Sequence, residues 1–180
     1  MDRAEIVDTL NMYAGALDSH SWDLFDAVFA ANVEADYPGA MHWHDLPSFK
    51  RDFAEYHEAL ENHQHVMTNH LVVLDGDTAY SLTYGTYRLV EKAIGDDSAG
   101  VREGRCWYDD ELRRTNGGWR IHRRVSRVFW ARGAPPRRAV IAGGAVNQPE
   151  LSETLSMNSL FVEARAGRVS YFNALKRLHR

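Results

Sequence analysis

Apolar residues fall at Ile6, Val7, Leu10, Tyr13, Ala14 and Leu17, spacings of three and four that place them on one helix face. The pattern predicts a first helix over 3–19, with Asp2 as its N-cap and Glu5 three residues on, as in a capping box. Ser21 opens a second helix over 21–31, carried by Leu24, Phe25, Val28 and Phe29. A short strand at 33–37 is closed by Pro38-Gly39. Leu46-Pro47-Ser48 starts a third helix, with Phe49, Phe53, Tyr56 and Leu60 along one side. From His65 the hydrophobic period changes to that of strands. Residues 67–74, 78–90, 102–113 and 119–130 read as strands. Asp75-Gly76-Asp77 and Asn116-Gly117-Gly118 are hairpin turns, and 95–100 is a loop. Three helices ahead of a run of antiparallel strands define an α+β chain whose helices cover one face of a curved sheet.

Pro135-Pro136 ends the sheet. A chain of 180 residues makes one domain, here 1–132. Residues 133–180 form an extension that packs on it, lids a pocket or reaches a neighbouring subunit. Within it 150–165 is irregular or partly helical, and 169–178 is a short helix. Composition, 44 % hydrophobic and 26 % charged, matches a soluble globular domain. Net charge is −4, which argues against a nucleic-acid partner. The charge is uneven: residues 1–100 carry 5 Lys/Arg against 18 Asp/Glu, and 101–180 carry 16 against 7. The expected reading is two halves that pack together with complementary surfaces. No apolar run reaches the roughly 18 residues of a membrane span. The start, MDRAEIVDTLNMY, has acids where a signal peptide has basic and then apolar residues. Cys106 is the only cysteine, so no intramolecular disulfide forms. A cytoplasmic location with no membrane partner is the expectation.

Three segments together carry a family resemblance. They are Tyr13-Ala-Gly-Ala-Leu-Asp18-Ser-His-Ser-Trp22, His65-Val-Met-Thr-Asn69-His-Leu-Val-Val-Leu-Asp75, and Gly104-Arg-Cys-Trp-Tyr-Asp-Asp-Glu-Leu followed by Gly118-Trp-Arg-Ile121. The chain resembles the SnoaL-like branch of the nuclear transport factor 2-like superfamily over about residues 3–130. The resemblance implies a cone: a strongly bent mixed or antiparallel sheet around N-terminal helices, with a pocket inside. Members that eliminate without a cofactor include scytalone dehydratase, hexachlorocyclohexane dehydrochlorinase and bile-acid 7α-dehydratase. They place an Asp near the end of the first helix and a His before the Asn-containing strand, which correspond here to Asp18 and His65. Tyr13 matches a tyrosine five residues before that Asp. The resemblance also implies a homo-oligomer, a trimer with a dimer as the alternative.

The chemistry follows from these residue types. A histidine titrates near pH 6.5, so it is neutral at work and still accepts a proton. A carboxylate on its other ring nitrogen fixes the tautomer and stabilises the imidazolium. His65 is therefore the expected base and Asp18 its orienter. Tyr13 or an arginine of the last strand then assists a substrate oxygen. Arg123, Arg124 and Arg127 crowd that strand; Arg127 is carried as catalytic and Arg124 as a substrate contact. Tyr37, Trp43, Met67 and Asn69 complete the expected contacts. Among the remaining aromatics Tyr56, Tyr84, Tyr87, Trp107 and Tyr108 are expected mostly in the core, some lining the pocket.

The expected activity is elimination, dehydration foremost, on a small hydroxylated aromatic or polycyclic substrate, with no cofactor. Retro-aldol cleavage and ketosteroid-type isomerisation or cyclisation need the same base. A different class, a non-catalytic binding protein or small subunit of an oxygenase, needs no Asp–His pair at a cavity. Zinc could sit on two pairs that share a strand face, His42-Trp43-His44 and His63-Gln64-His65, but neither has a clear third-ligand spacing, so no metal is expected. Cys106 is expected to pack rather than react.

Overall fold

Helix α1 (Asp2–Asp18) forms on the three-four spacing and buries Ile6, Leu10, Tyr13 and Leu17. The structure, a computed structural model, describes residues 1–38, 41–93, 95, 100–133, 140–141, 144–145 and 159–179. Asp2 is not the N-cap. Met1 holds that position, and the Asp2 carboxylate instead receives Nη1 and Nη2 of Arg114, each at 2.8 Å. A two-pronged charged contact is stronger than a single bond to an end N–H. The helix stops in a Schellman motif: Ser21 N–H donates to Ala16 O and His20 N–H to Leu17 O, with His20 left-handed at φ 52°.

The expected second helix is short. A 3₁₀ turn (Trp22–Leu24) leads into one turn, α2 (Phe25–Val28), and the chain is already extended in β1 (Phe29–Tyr37). Pairing overrides helix propensity there, because Phe29 lies opposite Ile121 of β6 (Gly118–Arg132) and buries its ring against Phe25 and Phe49. A three-residue strand not read from the sequence, β2 (Met41–Trp43), pairs with β1; Gly39 of the expected turn lies outside the described residues. Asp45 caps α3 (Leu46–His57) by accepting Ser48 N–H at 2.7 Å, with Pro47 in the first turn. β3 (Leu60–Asp75) starts earlier than the period alone indicates, so His63 and His65 lie within a strand and not ahead of one.

β4 (Thr78–Glu91) and β5 (Val101–Thr115) follow, and the spatial order is β2-β1-β6-β5-β4-β3. The sheet is mixed, because β1 runs parallel to β6, and it does not close. α1, α2 and α3 pack in its concave face, giving the cone-shaped α+β architecture. Gly85 on β4 lies opposite Cys106, and a Cβ there would stand 2.7 Å from the Tyr108 ring and 2.8 Å from Cys106 Sγ. No helix of the described residues is long and apolar enough to cross a membrane.

Part of the extension is described. β7 (Val140–Ile141) pairs with β8 (Gly144–Ala145) beside α3. α4 (Leu160–Arg165) and α5 (Ser170–Leu178) cover the opposite face of the main sheet, where Val169 and Tyr171 pack with Leu82 and Trp107. Asp109, buried on β5, accepts the N–H groups of Ser170 and Tyr171 at 2.7 and 3.0 Å and so holds the start of α5. The two charge-biased halves meet in named pairs: Arg114 with Asp2 and Asp77, and Arg177 with Asp75.

Candidate active site

Asp18 closes α1, where the helix dipole disfavours a negative charge. Three donors offset that. Its Oδ2 accepts His65 N–H at 2.9 Å, and its Oδ1 lies 2.8 Å from His65 Nδ1 and 3.2 Å from His63 Nδ1. Burial opposes ionisation, but the hydrogen bonds from His63 and His65 prevail and hold the carboxyl well below the usual carboxylate range. The two histidines alternate along β3, so both rings project to the concave face and reach one oxygen. With Nδ1–H given to Asp18, His65 keeps the lone pair on Nε2, and its side chain, 10 % exposed, lines the cavity.

The row of histidines continues. His63, 3 % exposed, places Nε2 at 2.7 Å from Nε2 of His20, and the two rings stack. His57 is buried on α3 with its Nδ1 2.6 Å from Phe53 O. Burial lowers its pKa to about 3, so it stays neutral and presents its other nitrogen at the cavity wall.

The cavity measures about 120 Å³ and is walled by tyrosines. Tyr13 and Tyr37 face it with hydroxyls 3.0 Å apart. Tyr56, Tyr87 and Tyr108 join them, and Trp43, Phe53, Leu89 and Val128 add apolar surface. Burial raises the Tyr13 pKa, takes Tyr37 and Tyr108 well above the usual phenol value, and pushes Tyr87 up to about 12. These hydroxyls stay protonated at neutral pH and keep O–H groups able to donate a hydrogen bond. Burial also pushes Cys106, in the same wall, up to about 11, which keeps it a thiol.

Of the sequence-derived candidates, Asp18, His65, Tyr13, Tyr37 and Trp43 come together at or beside this cavity. Four do not line it. Arg127 lies on the other face, over the Trp107 ring and 3.4 Å from Glu163. Two residues of β6, Ile121 and Arg123, pair with Leu112 and Glu111, so His122 is extra and the facing of later residues flips. Arg124, Ser126 and Val128 therefore turn inward and Arg127 outward. Arg124 lies inward but behind the tyrosines. It is fully buried, bonded to both oxygens of Asp110 at 2.8 Å, with its guanidinium 4.2 Å from the Tyr13 ring and 4.6 Å from the Tyr108 ring. It props the cavity wall and is screened from a substrate. Met67 is half-buried against the core and does not line the cavity. Asn69 is exposed, left-handed at φ 52°, in the bulge between Thr68 and Leu71. Asn tolerates that conformation, which accounts for it without a ligand. His63, His57 and the deeper tyrosines carry no local signal of a site; only the His63-Gln64-His65 alternation marked one of them.

A bent mixed sheet around α1, with an Asp–His pair at a tyrosine-lined cavity, defines a member of the NTF2-like group of α+β cones. A SnoaL-like domain model matches residues 1–125, and the chain belongs to that family. An uncharacterised protein of Mycobacterium tuberculosis is 34 % identical over 126 residues, 69 % of this chain and 83 % of its own length. Among solved structures, the Kfla4162 protein of Kribbella flavida superposes with a TM-score of 0.68 at 23 % identity, covering 73 % of this chain and 93 % of its own. A type 2 hexachlorocyclohexane dehydrochlorinase (LinA) gives 0.64 at 13 % identity, covering 78 % and 94 %. At these identities the two structures share the fold.

Proposed function

We propose that the chain is a lyase whose base is a side chain rather than a cofactor, acting on a small hydroxylated aromatic or polycyclic compound. One observation carries the reading: His65 Nδ1 sits 2.8 Å from an ionised Asp18 beside an apolar cavity. His65 Nε2 takes a proton from carbon next to the leaving group. Asp18 stabilises the imidazolium that forms. A protonated tyrosine, Tyr13 or Tyr37, donates to the departing or developing oxygen. Loss of water is the reaction favoured. The Tyr13–Tyr37 hydroxyl pair supports a second reading on the same base, an enolate-forming isomerisation, cyclisation or retro-aldol cleavage, because two phenols hold an enolate oxygen without any leaving group. A homo-oligomer, a trimer by analogy, belongs to the same reading, and light scattering measures it.

The test is turnover of a panel of hydroxylated ring compounds, followed by loss of an absorbing or isotopically labelled product. Removing a general base costs about 10²–10⁴-fold in rate, so His65→Ala and Asp18→Asn both fall in that range. Turnover unchanged in both variants sinks the proposal. A protein that binds rings with no turnover, and co-purifies with a large oxygenase subunit, replaces it with the subunit reading.

A further inference from the structure

A second convergence of ligand-type side chains lies away from the cavity, on the outer face of the β1–β2 ribbon. Ala35 pairs with Trp43 and Asp36 with His42, which brings the outward residues Glu34 and Asp36 alongside His42 and His44. Glu34 Oε2 stands 3.0 Å from His42 Nε2 and 2.8 Å from His44 Nδ1. Each of the three residues offers one ligand atom within 4.8 Å of the others. Asp36 Oδ1 lies 3.7 Å from the remaining nitrogen of His42. We propose that Glu34, His42 and His44 form a binding site for a zinc-class divalent cation, with water in the fourth position.

The donor set suits such an ion: two imidazoles and a carboxylate, with one open place. Bonds of about 2.0–2.1 Å in tetrahedral geometry hold ligand atoms roughly 3.3 Å apart. The observed 2.8 and 3.0 Å contacts therefore open by only a few tenths of an ångström to admit the ion. The ribbon is held from behind. Trp43, between the two histidines, is buried, bonded through Nε1 to Asp52 at 2.8 Å and packed on Phe49 and Phe53. Val33 and Ala35, flanking Glu34, are fully buried. Asp45 caps α3 one residue after His44. These anchors fix the strand positions from which the three side chains project, so little order is lost on binding. The cation in register with Glu34, Arg123, is turned away toward Ser170 and Glu111. All three side chains are between 45 % and 74 % exposed, which leaves a path for the ion.

The carboxylate ligand comes from the neighbouring strand, so no spacing along the chain points to it. The site does not depend on the lyase reading. Its test is calorimetric titration of chelator-treated protein with zinc chloride, beside His42→Ala/His44→Ala, Glu34→Gln and His63→Ala. The histidine pair is exposed, so the double variant is expected to fold, and circular dichroism checks it. The expected result is one zinc per chain, lost in the double variant, weakened at least tenfold in Glu34→Gln and retained in His63→Ala. Absence of zinc binding overturns the proposal. So does binding that survives the double variant, or that is lost only with His63, which would place the metal on Asp18.

Discussion

Replacing Asp110 by asparagine removes one charge from a pair in which neither partner has any exposed side-chain surface. The guanidinium of Arg124 keeps its charge but loses the carboxylate that neutralises it, with aromatic rings enclosing it elsewhere. Breaking a buried pair from one side costs about 3–5 kcal/mol, mostly the price of an uncompensated charge. The contacts with Tyr13, Phe29 and Tyr108 exist before and after, so they offset none of it. In a chain of this length each kcal/mol moves the thermal midpoint by about 2–4 °C, giving a fall of roughly 6–20 °C. Urea unfolding with a fixed m-value measures the free energy directly. The complementary variant, Asp110→Leu with Arg124→Met, removes both charges and leaves apolar groups of similar size. It is expected within about 1–2 kcal/mol of the parent, because an apolar replacement of a buried pair is close to neutral. The reasoning fails if Asp110→Asn costs under about 1 kcal/mol, or if the double variant is as unstable as the single-site effects added together.

Other substitutions probe separate parts of the molecule. Asp109→Ala removes the acceptor at the start of α5 and is expected to cost about 0.5–2 kcal/mol, with limited proteolysis cutting sooner near Ser170; an unchanged cleavage pattern contradicts the capping role. Gly85→Ala drives a methyl group into the Tyr108 ring and Cys106, at an expected cost of about 1–3 kcal/mol, read by thermal melting. His57 has a folded pKa of about 3, below its unfolded value, so the unfolded chain binds the extra proton between about pH 6.5 and 3 and stability falls as pH drops through that window. The slope from this one group is up to about 1.4 kcal/mol per pH unit, and His57→Phe is expected to flatten the measured stability–pH curve by that amount between pH 6 and 4.

The elements legible in the sequence were those whose signal is local. The period of α1, the Leu46-Pro47-Ser48 start of α3 and the two glycine turns need no distant partner. Phe29 shows the limit: its neighbours carry a helical pattern, and only a parallel partner some ninety residues later makes it a strand residue. The pairing of Asp18 with His65 is legible only through the family resemblance, and the sheet supplies what the resemblance lacks. His63 shares the Asp18 oxygen because residues two apart on a strand face the same way. Arg127 faces away from the cavity because the extra residue at His122 reverses the facing of the residues up to Val128, and a one-residue slip leaves no mark in composition. The same holds for Glu34, whose histidine partners are neighbours only across a ladder.

Asp109 and Asp110 are adjacent acids on one strand, and the pleat sends them to opposite sides. One secures the C-terminal helix on the outside, and the other neutralises the arginine behind the cavity tyrosines. Neither touches the cavity. In a mutational scan Asp110 would tolerate few replacements, and it would look like a catalytic residue to anyone ranking positions by intolerance. Its constraint is architectural, and intolerance at a buried carboxylate that neutralises a buried arginine is a poor guide to a binding or catalytic role.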